Sequence, residues 1–218
     1  MDGGARSPVG LALEIVIQLL TWLGPTAQKY IDSLVQRLAK ASDDFEILDM
    51  KMALDVVDGR GRTAIYTKRE HIRFLRDNIT SIYDYGWGTG DAFASHRVKP
   101  GHVVERRQVG SRYRSLILLP EPQNKGDEMT FTVRRLWKGS LKGRPNWLEA
   151  EVHHNMRHLA LGVTLPRGRR MKSARLFDRK GPMKPDPRVN VTAQGRHRVQ
   201  AEISKPIVGN CYTLEWDW

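Results

Sequence analysis

The sequence predicts a mainly β protein, an antiparallel β-sandwich of about eight or nine strands, preceded by an α-helical hairpin. Three observations lead to this prediction. An apolar run with helical spacing lies near the start of the chain. Short segments of alternating apolar and polar residues follow it, and Gly/Pro turns separate those segments. We therefore expect two domains, a helical hairpin at residues 1–44 and a β-sandwich at residues 45–218.

The first predicted helix covers Val9–Gly24, which is apolar except for a narrow stripe formed by Glu14, Gln18 and Thr21. Gly24-Pro25 ends it, and apolar residues at three-four spacing then predict a second, amphipathic helix. The apolar run is shorter than the roughly twenty residues of a membrane span and contains a carboxylate. We expect the hairpin to self-associate, to dock on a partner or to enter a membrane, with contacts through Glu14, Gln18 and Trp22.

The β region opens with an alternating run, Leu48–Val56, which the turn Asp58–Gly61 joins to a strand at Thr63–Thr67. The spacing of Ile72, Leu75 and Ile79 predicts a short helix over residues 68–79, and the glycines of YGWGTGD predict a loop that lets Trp87 dock into the core. Further strands are predicted at Tyr113–Leu119, Met129–Arg135, His158–Leu165, Ser173–Phe177, Arg188–Thr192, Arg198–Ile203 and Tyr212–Trp218.

The stretch EVHHNMRH, residues 151–158, has the composition of a metal site, and two of its histidines are four residues apart. On a helix, histidines at that spacing would share one face. However, the residues that follow alternate with period two and end at a proline, which predicts a strand. The HExxH order of zinc peptidases is also absent. We predict no metal site and no cofactor, and keep His153, His154 and His158 as candidate ligands of an alternative metal-dependent hydrolase.

Other catalytic signatures are missing from the sequence. It has no GxSxG motif, no CxxC pair and no phosphate-binding glycine loop. The single cysteine, Cys211, is interpreted as a small buried residue, and a lone thiol suits a reducing compartment. These observations favour a protein without catalytic activity, located in the cytoplasm, with membrane association through the hairpin as the alternative.

The net charge of +12 is unevenly distributed. Residues 1–45 carry four Lys/Arg and five Asp/Glu, a net of −1, whereas Leu165–Arg198 carries eleven basic and two acidic residues, a net of +9. Such a segment attracts polyanions, either nucleic acid or an anionic membrane surface. The candidate contacts are Arg167, Arg169, Arg170, Lys172, Arg175, Arg179 and Lys180.

From residue 45 onward the order of landmarks resembles an uncharacterised bacterial β-sandwich-like domain. That domain is found behind varied N-terminal modules, often in gene neighbourhoods linked to defence or signalling. The matching stretches are YTKREHIRFLRDNI (66–79), WGTG (87–90), PG (100–101), GDEMTF (126–131), NWLEAEVHH (146–154), LALGVTLPRGR (159–169) and GNCYTLEWDW (209–218).

The resemblance implies an interaction or sensor module whose variable front end sets the output. We therefore expect a non-enzymatic regulatory or effector protein of a bacterial defence or stress system. The expected partner is a second protein of the same operon or another copy of the chain. A nucleic-acid-binding module that uses the basic segment 165–198 is the alternative, with a metal-dependent hydrolase at residues 151–158 as the third hypothesis.

Overall fold

The computed structural model describes residues 44–88, 91–139, 141 and 145–218. Apart from Asp44, the predicted helical hairpin of residues 1–44, with Glu14, Gln18 and Trp22, lies outside the described residues. Within the described ranges, no helix is long and apolar enough to span a bilayer.

The described part of the chain is mainly β, as predicted, and contains no helix. It holds fourteen strands, more than the eight or nine predicted. Their bounds are β1 Phe45–Val56, β2 Thr63–Phe74, β3 Ile79–Trp87, β4 Asp91–Lys99, β5 His102–Val109, β6 Arg112–Gln123, β7 Glu128–Lys138, β8 Asn146–Glu151, β9 His158–Thr164, β10 Ser173–Asp178, β11 Gly181–Met183, β12 Val189–Val191, β13 His197–Ser204 and β14 Cys211–Asp217.

The strands form three sheets. The largest has the order β12-β13-β9-β1-β2-β7-β4, the second β11-β10-β14-β8, and the third β3-β6-β5. Every described pair of neighbouring strands is antiparallel except β1 and β9, which run parallel. The prediction of a purely antiparallel fold is wrong for this pair, because the chain returns to β1 only after β8 and no tight hairpin sets the direction.

The turn between β1 and β2 lies where the sequence predicts it. Asp58 accepts hydrogen bonds from the backbone N–H groups of Arg60 (2.9 Å), Arg62 (3.1 Å) and Thr63. Slight burial opposes the charge on Asp58, but these donors outweigh it and lower the pKa of the carboxyl. Gly61 has a positive φ of 69° and lies against the Trp218 ring, so glycine is required at this position.

The predicted helix at residues 68–79 is wrong. β2 continues to Phe74, and a short turn then leads into β3. Every second residue of β2 is buried, including the charged residues Lys68 and Glu70. These two charges at core-facing positions interrupt the apolar alternation, and the spacing of Ile72, Leu75 and Ile79 then resembles a helical pattern by coincidence.

All nine predicted strands are present, and five others were missed: β3, β4, β5, β8 and β11. β5 is exposed along nearly its whole length, so it has no apolar alternation to recognise. β3 inverts the usual pattern, because Asp84 is buried while Tyr83 and Tyr85 are exposed. These two strands therefore lack a continuous apolar face, β5 because it is exposed to solvent and β3 because a charged residue occupies an inward position.

A buried ion network joins two of the sheets. Asp84 on β3 contacts Lys68 on β2, at 2.7 Å from Nζ to Oδ1, and forms an ion pair with Arg135 on β7. Lys68 also lies 3.0 Å from Glu70. Asp84 and Arg135 are each only 1% exposed, so each charge depends on the others for solvation. The three-stranded sheet is therefore held against the seven-stranded sheet by a carboxylate that has two cationic partners.

We expect Asp84→Asn to lower the free energy of unfolding by about 3–5 kcal/mol, because two buried cations then lose their shared counter-charge. Urea denaturation measures the change. Asp186→Asn is the control, since its ion pair with Lys184 is exposed and its loss is expected to cost less than about 1 kcal/mol. A loss for Asp84→Asn no larger than that of the control would contradict this role for the network.

Candidate functional site

An open cleft of about 800 Å³, counting the part that solvent enters, lies over the buried ion network. Its lining comes from β1, β2, β3, β6, β7 and β8 and from the connection between β8 and β9. Lys68 and Glu70 of the network form part of the lining. The aromatic members of the lining are Phe45, Tyr66, Tyr83, Tyr85, Trp87, Tyr113, Trp137 and Trp147.

The deep wall of the cleft is a rigid aromatic surface. The rings of Tyr66 and Trp137 stack with centroids 5.0 Å apart and planes 8° from parallel, and both residues are buried. Tyr113 lies over its cross-strand partner Gly86, where an added Cβ would come within 2.3 Å of the Tyr113 ring. The Arg135 guanidinium sits 4.6 Å from the centre of the Tyr113 ring. Close packing and a cation–π contact therefore fix these rings.

The rim of the cleft exposes three large aromatic side chains. Tyr83, Tyr85 and Trp147 are 42%, 41% and 41% exposed. The rings of Tyr83 and Tyr85 lie 6.0 Å apart, and the Arg114 guanidinium lies 4.7 Å from the centre of the Tyr83 ring. Aromatic surface that remains exposed beside a concave site is typical of ligand-binding grooves.

Two carboxylates line the wall that β8 contributes. Glu149 accepts hydrogen bonds from Trp87 Nε1 at 3.0 Å and from Thr213 Oγ1 at 2.7 Å. Glu151 lies 3.7 Å from His153 Nε2 and 3.5 Å from Arg179. The Cys211 side chain is a third hydrogen-bond partner of Glu149. A carboxylate offers about four acceptor positions, so one remains at Glu149 for a ligand.

In the ion network, burial and the neighbouring charges shift the pKa values of the side chains in opposite directions. Burial opposes the charge on Lys68, but Asp84 and Glu70 outweigh it and raise the pKa of Lys68. Burial likewise opposes the charge on Asp84, but Lys68 and Arg135 outweigh it and lower the pKa of this carboxyl. At Glu70 burial prevails over Lys68 and raises the pKa. The floor of the cleft thus combines a firmly ionised pair with a carboxyl that holds its proton more tightly than usual.

The three candidate histidines make separate contacts. His153 approaches Glu151 and the ring of Tyr85, His154 stacks on Phe45 with ring centroids 4.4 Å apart, and His158 Nδ1 lies 2.7 Å from Asp49 Oδ1. No group of three or more His, Cys, Asp or Glu side chains in the described ranges is arranged to hold a metal ion. His158 opens strand β9, as the alternation after it predicts.

Cys211 is partly buried beside Glu149 and Glu151. Burial raises the pKa of its thiol to about 12, and the neighbouring carboxylates raise it in the same direction. A thiol with this pKa carries almost no thiolate at neutral pH, so it is a poor nucleophile.

The basic candidates of segment 165–198 are distributed around β10. Arg167, Arg169, Arg170 and Lys172 precede the strand, Arg175 lies within it, and Arg179 and Lys180 follow it. All seven are exposed. Some have intramolecular contacts: Arg169 Nε donates to the Gly59 carbonyl, and Arg179 pairs with Glu151. The structure therefore places these cations along β10 and in the connections on either side of it.

Most of the cleft residues were not predicted from the sequence. Trp87 lies at the end of a strand, half-buried, and bonds Glu149 rather than docking into the core from a loop. Lys68, Glu70, Asp84 and Arg135 were missed altogether. The one available signal is the period-two register of β2, in which Lys68 and Glu70 fall between Tyr66 and Ile72 on the same face.

No family model and no curated protein sequence matches the chain. Solved structures give partial likenesses. An M1 zinc metallopeptidase from Deinococcus radiodurans is 12% identical with a TM-score of 0.45, over 79% of this chain and 42% of that chain. A mutant two-domain M1 zinc metallopeptidase bound to L-tryptophan is 11% identical with a TM-score of 0.48, over 80% and 43%. The chain thus spans less than half the length of these proteins.

We expect the pH dependence of stability to change in Glu70→Gln. A raised pKa means that the stability contributed by protonated Glu70 is fully present below the unfolded value of about 4.3 and is lost as pH rises through the folded pKa. Glutamine stays neutral and avoids this loss. The stability of Glu70→Gln relative to the wild type should therefore increase as pH rises.

Urea denaturation over a series of pH values measures this difference, with the exposed Glu121→Gln as the control that follows the wild type. A difference between Glu70→Gln and the wild type that is constant or shrinks with rising pH would show that Glu70 is ionised at no penalty in the folded protein.

Proposed function

We propose that residues 44–218 form a non-enzymatic binding module whose aromatic cleft receives an organic cation with an apolar body. The observation that supports this most is the composition of the cleft lining, which combines eight aromatic rings with the carboxylates Glu149 and Glu151, while its one ammonium, Lys68, is paired with Asp84 and Glu70. An aromatic face attracts a cation through its quadrupole, and a carboxylate beside it adds charge and hydrogen-bond acceptors.

The protonation state of His153 supports the same ligand class, an organic cation. Burial lowers the pKa of His153, so its ring is neutral near pH 7 and adds no positive charge to the cleft. Glu149 and the exposed rings of Tyr85 and Trp147 then provide an acceptor and two aromatic faces for an amine or guanidinium.

We further propose that the binding module serves a regulatory or effector protein of a bacterial defence or stress system. This part of the proposal rests on the resemblance described above, with residues 1–44 as the output segment acting on a partner protein or on a second copy of the chain. We place the protein in the cytoplasm, because a single thiol suits a reducing compartment.

A matched pair of small probes tests the ligand class. Phenethylamine and 3-phenylpropionate share a phenyl ring on a two-carbon chain but carry opposite charges. We expect phenethylamine to bind with millimolar or tighter affinity and 3-phenylpropionate at least tenfold more weakly, as a difference of about 1.4 kcal/mol would give. Shifts in the NMR spectrum of the labelled protein report both affinity and location.

Two variants assign the binding to the cleft. Trp147→Ala and Glu149→Gln should each weaken phenethylamine binding by at least fivefold, since one removes an aromatic face and the other a charge. Glu121→Gln, at an exposed position of β6 outside the cleft lining, should leave the affinity unchanged. Equal binding of the two probes, or equal effects of Glu149→Gln and Glu121→Gln, would contradict the proposal.

The output role of the first segment has its own test. We expect the full chain to self-associate or to sediment with a partner or with membranes, whereas a chain shortened to residues 42–218 should run as a monomer in the supernatant. Cell fractionation followed by size-exclusion chromatography measures both properties. Identical monomeric behaviour of the two chains would remove the role given to residues 1–41.

A further inference from the structure

The seven-stranded sheet carries a second charged surface on the side opposite the cleft. Along β2, Lys68 and Glu70 are buried, while Arg69 between them is exposed. The neighbouring strands β1, β7 and β4 show the same alternation. Five outward positions of these four strands form what we call the cationic face, which comprises Lys51, Arg69, Arg97, Lys99 and Arg134, all exposed.

The register places these five cations in two adjacent rows. In the first row Lys51 is directly opposite Arg69, and Thr132 lies between Arg69 and Lys99. In the second row Ala53 and Thr67 lead to Arg134, which is directly opposite Arg97. Strands are about 4.8 Å apart and rows two residues apart are separated by about 7 Å. The five charges therefore occupy a patch roughly 14 Å wide and 7 Å high.

The cationic face lacks compensating charge. On these four strands the other members of the two rows are threonine and alanine, and none of the five cations forms an ion pair or hydrogen bond with a residue in the described ranges. The carboxylates that border the rows, Asp49, Asp55 and Glu202, are bonded to His158, Arg196 and Gln200 instead. Arg73, four residues beyond Arg69 on the same strand, differs, because Glu46 and Glu128 pair with it. Like charges directly opposite each other in a sheet are destabilising. Both the Lys51/Arg69 and the Arg97/Arg134 pairs are of this kind.

We propose that the cationic face binds the phosphate backbone of double-stranded nucleic acid. A bound polyanion reduces the electrostatic repulsion within both like-charge pairs, and the threonine hydroxyls between the cations can donate hydrogen bonds to phosphate oxygens. The two rows contain no aromatic ring on which an unpaired base could stack, which favours a duplex over a single strand. They also contain no large apolar side chain for insertion into a bilayer. Because the contacts are to the phosphate backbone, binding is independent of the nucleotide sequence.

The test compares two double variants of the full chain that remove the same charge from different surfaces. Arg69→Ala/Arg134→Ala changes the cationic face, and Arg167→Ala/Arg170→Ala changes the basic segment 165–198. Because both lower the net charge of +12 equally, any difference between them reports location rather than total charge. Fluorescence anisotropy with a labelled DNA duplex of mixed sequence gives the affinity at several salt concentrations.

We expect the Arg69/Arg134 variant to lose at least tenfold in affinity and to reduce the salt slope by about 2, since each phosphate contact contributes about 0.9. The Arg167/Arg170 variant should stay within about twofold of the wild type. The melting temperature of the Arg69/Arg134 variant should equal or exceed that of the wild type, because the substitutions remove two like-charge contacts.

Three results would overturn the proposal. Equal losses in the two variants would show that only net charge matters. A larger loss in the Arg167/Arg170 variant would move the site to the basic segment. Binding to vesicles that contain phosphatidylserine, without binding to the duplex, would identify the cationic face as a membrane surface instead.

Discussion

The structure depends on how the carboxylate of Asp84 is neutralised. This side chain comes from the three-stranded sheet and is buried, so its charge needs partners from elsewhere. Lys68 and Arg135 provide them from two adjacent strands of the seven-stranded sheet. An apolar contact tolerates sliding, whereas an ion pair between buried groups has one satisfactory geometry. The network therefore sets the position of one sheet on the other.

The cleft is a consequence of that placement. Tyr83 and Tyr85 flank Asp84 on β3, so anchoring Asp84 inward turns both rings outward to the rim. Tyr66 precedes Lys68 on β2 by one inward position and forms the deep wall with Trp137. The same period of two exposes Arg69 and Arg134 on the opposite side of the sheet. β1, β2 and β7 thus contribute to an aromatic cleft on one face of the sheet and to the cationic face on the other.

The sequence predicts the β architecture well where burial is apolar. The nine strands that it predicts are present, and the turn at Asp58 follows from a carboxylate placed to cap it. The prediction is wrong where charged residues occupy inward positions. Because Lys68 and Glu70 interrupt the apolar alternation, the second half of β2 was not recognised as a strand, and Asp84 had the same effect on β3. Apart from the β1–β2 hairpin, strand pairing could not be predicted, because Asp84, Lys68 and Arg135 are distant in sequence and only the sheet register brings them together. The cleft, built from six strands, could not be anticipated for the same reason.

At the histidine-rich stretch 151–158, by contrast, the sequence predicted the local structure correctly. Its composition resembles a metal site, but the alternation of the residues after His158 correctly predicts a strand, and the three histidines contact different partners. The sequence was informative there because large residues alternate with small ones from Leu159 to Val163 and Pro166 follows the strand, although both of its faces are buried.

The proposed cation site lies in the cleft above the ion network, between aromatic rings and carboxylates. The most direct measurement is an experimental structure of the full chain with phenethylamine. Our account predicts the ammonium within hydrogen-bond distance of Glu149 or Glu151 and the phenyl ring against Tyr85 or Trp147. An ammonium pointing to solvent with both carboxylates unoccupied, or a molecule bound elsewhere on the protein, would contradict it.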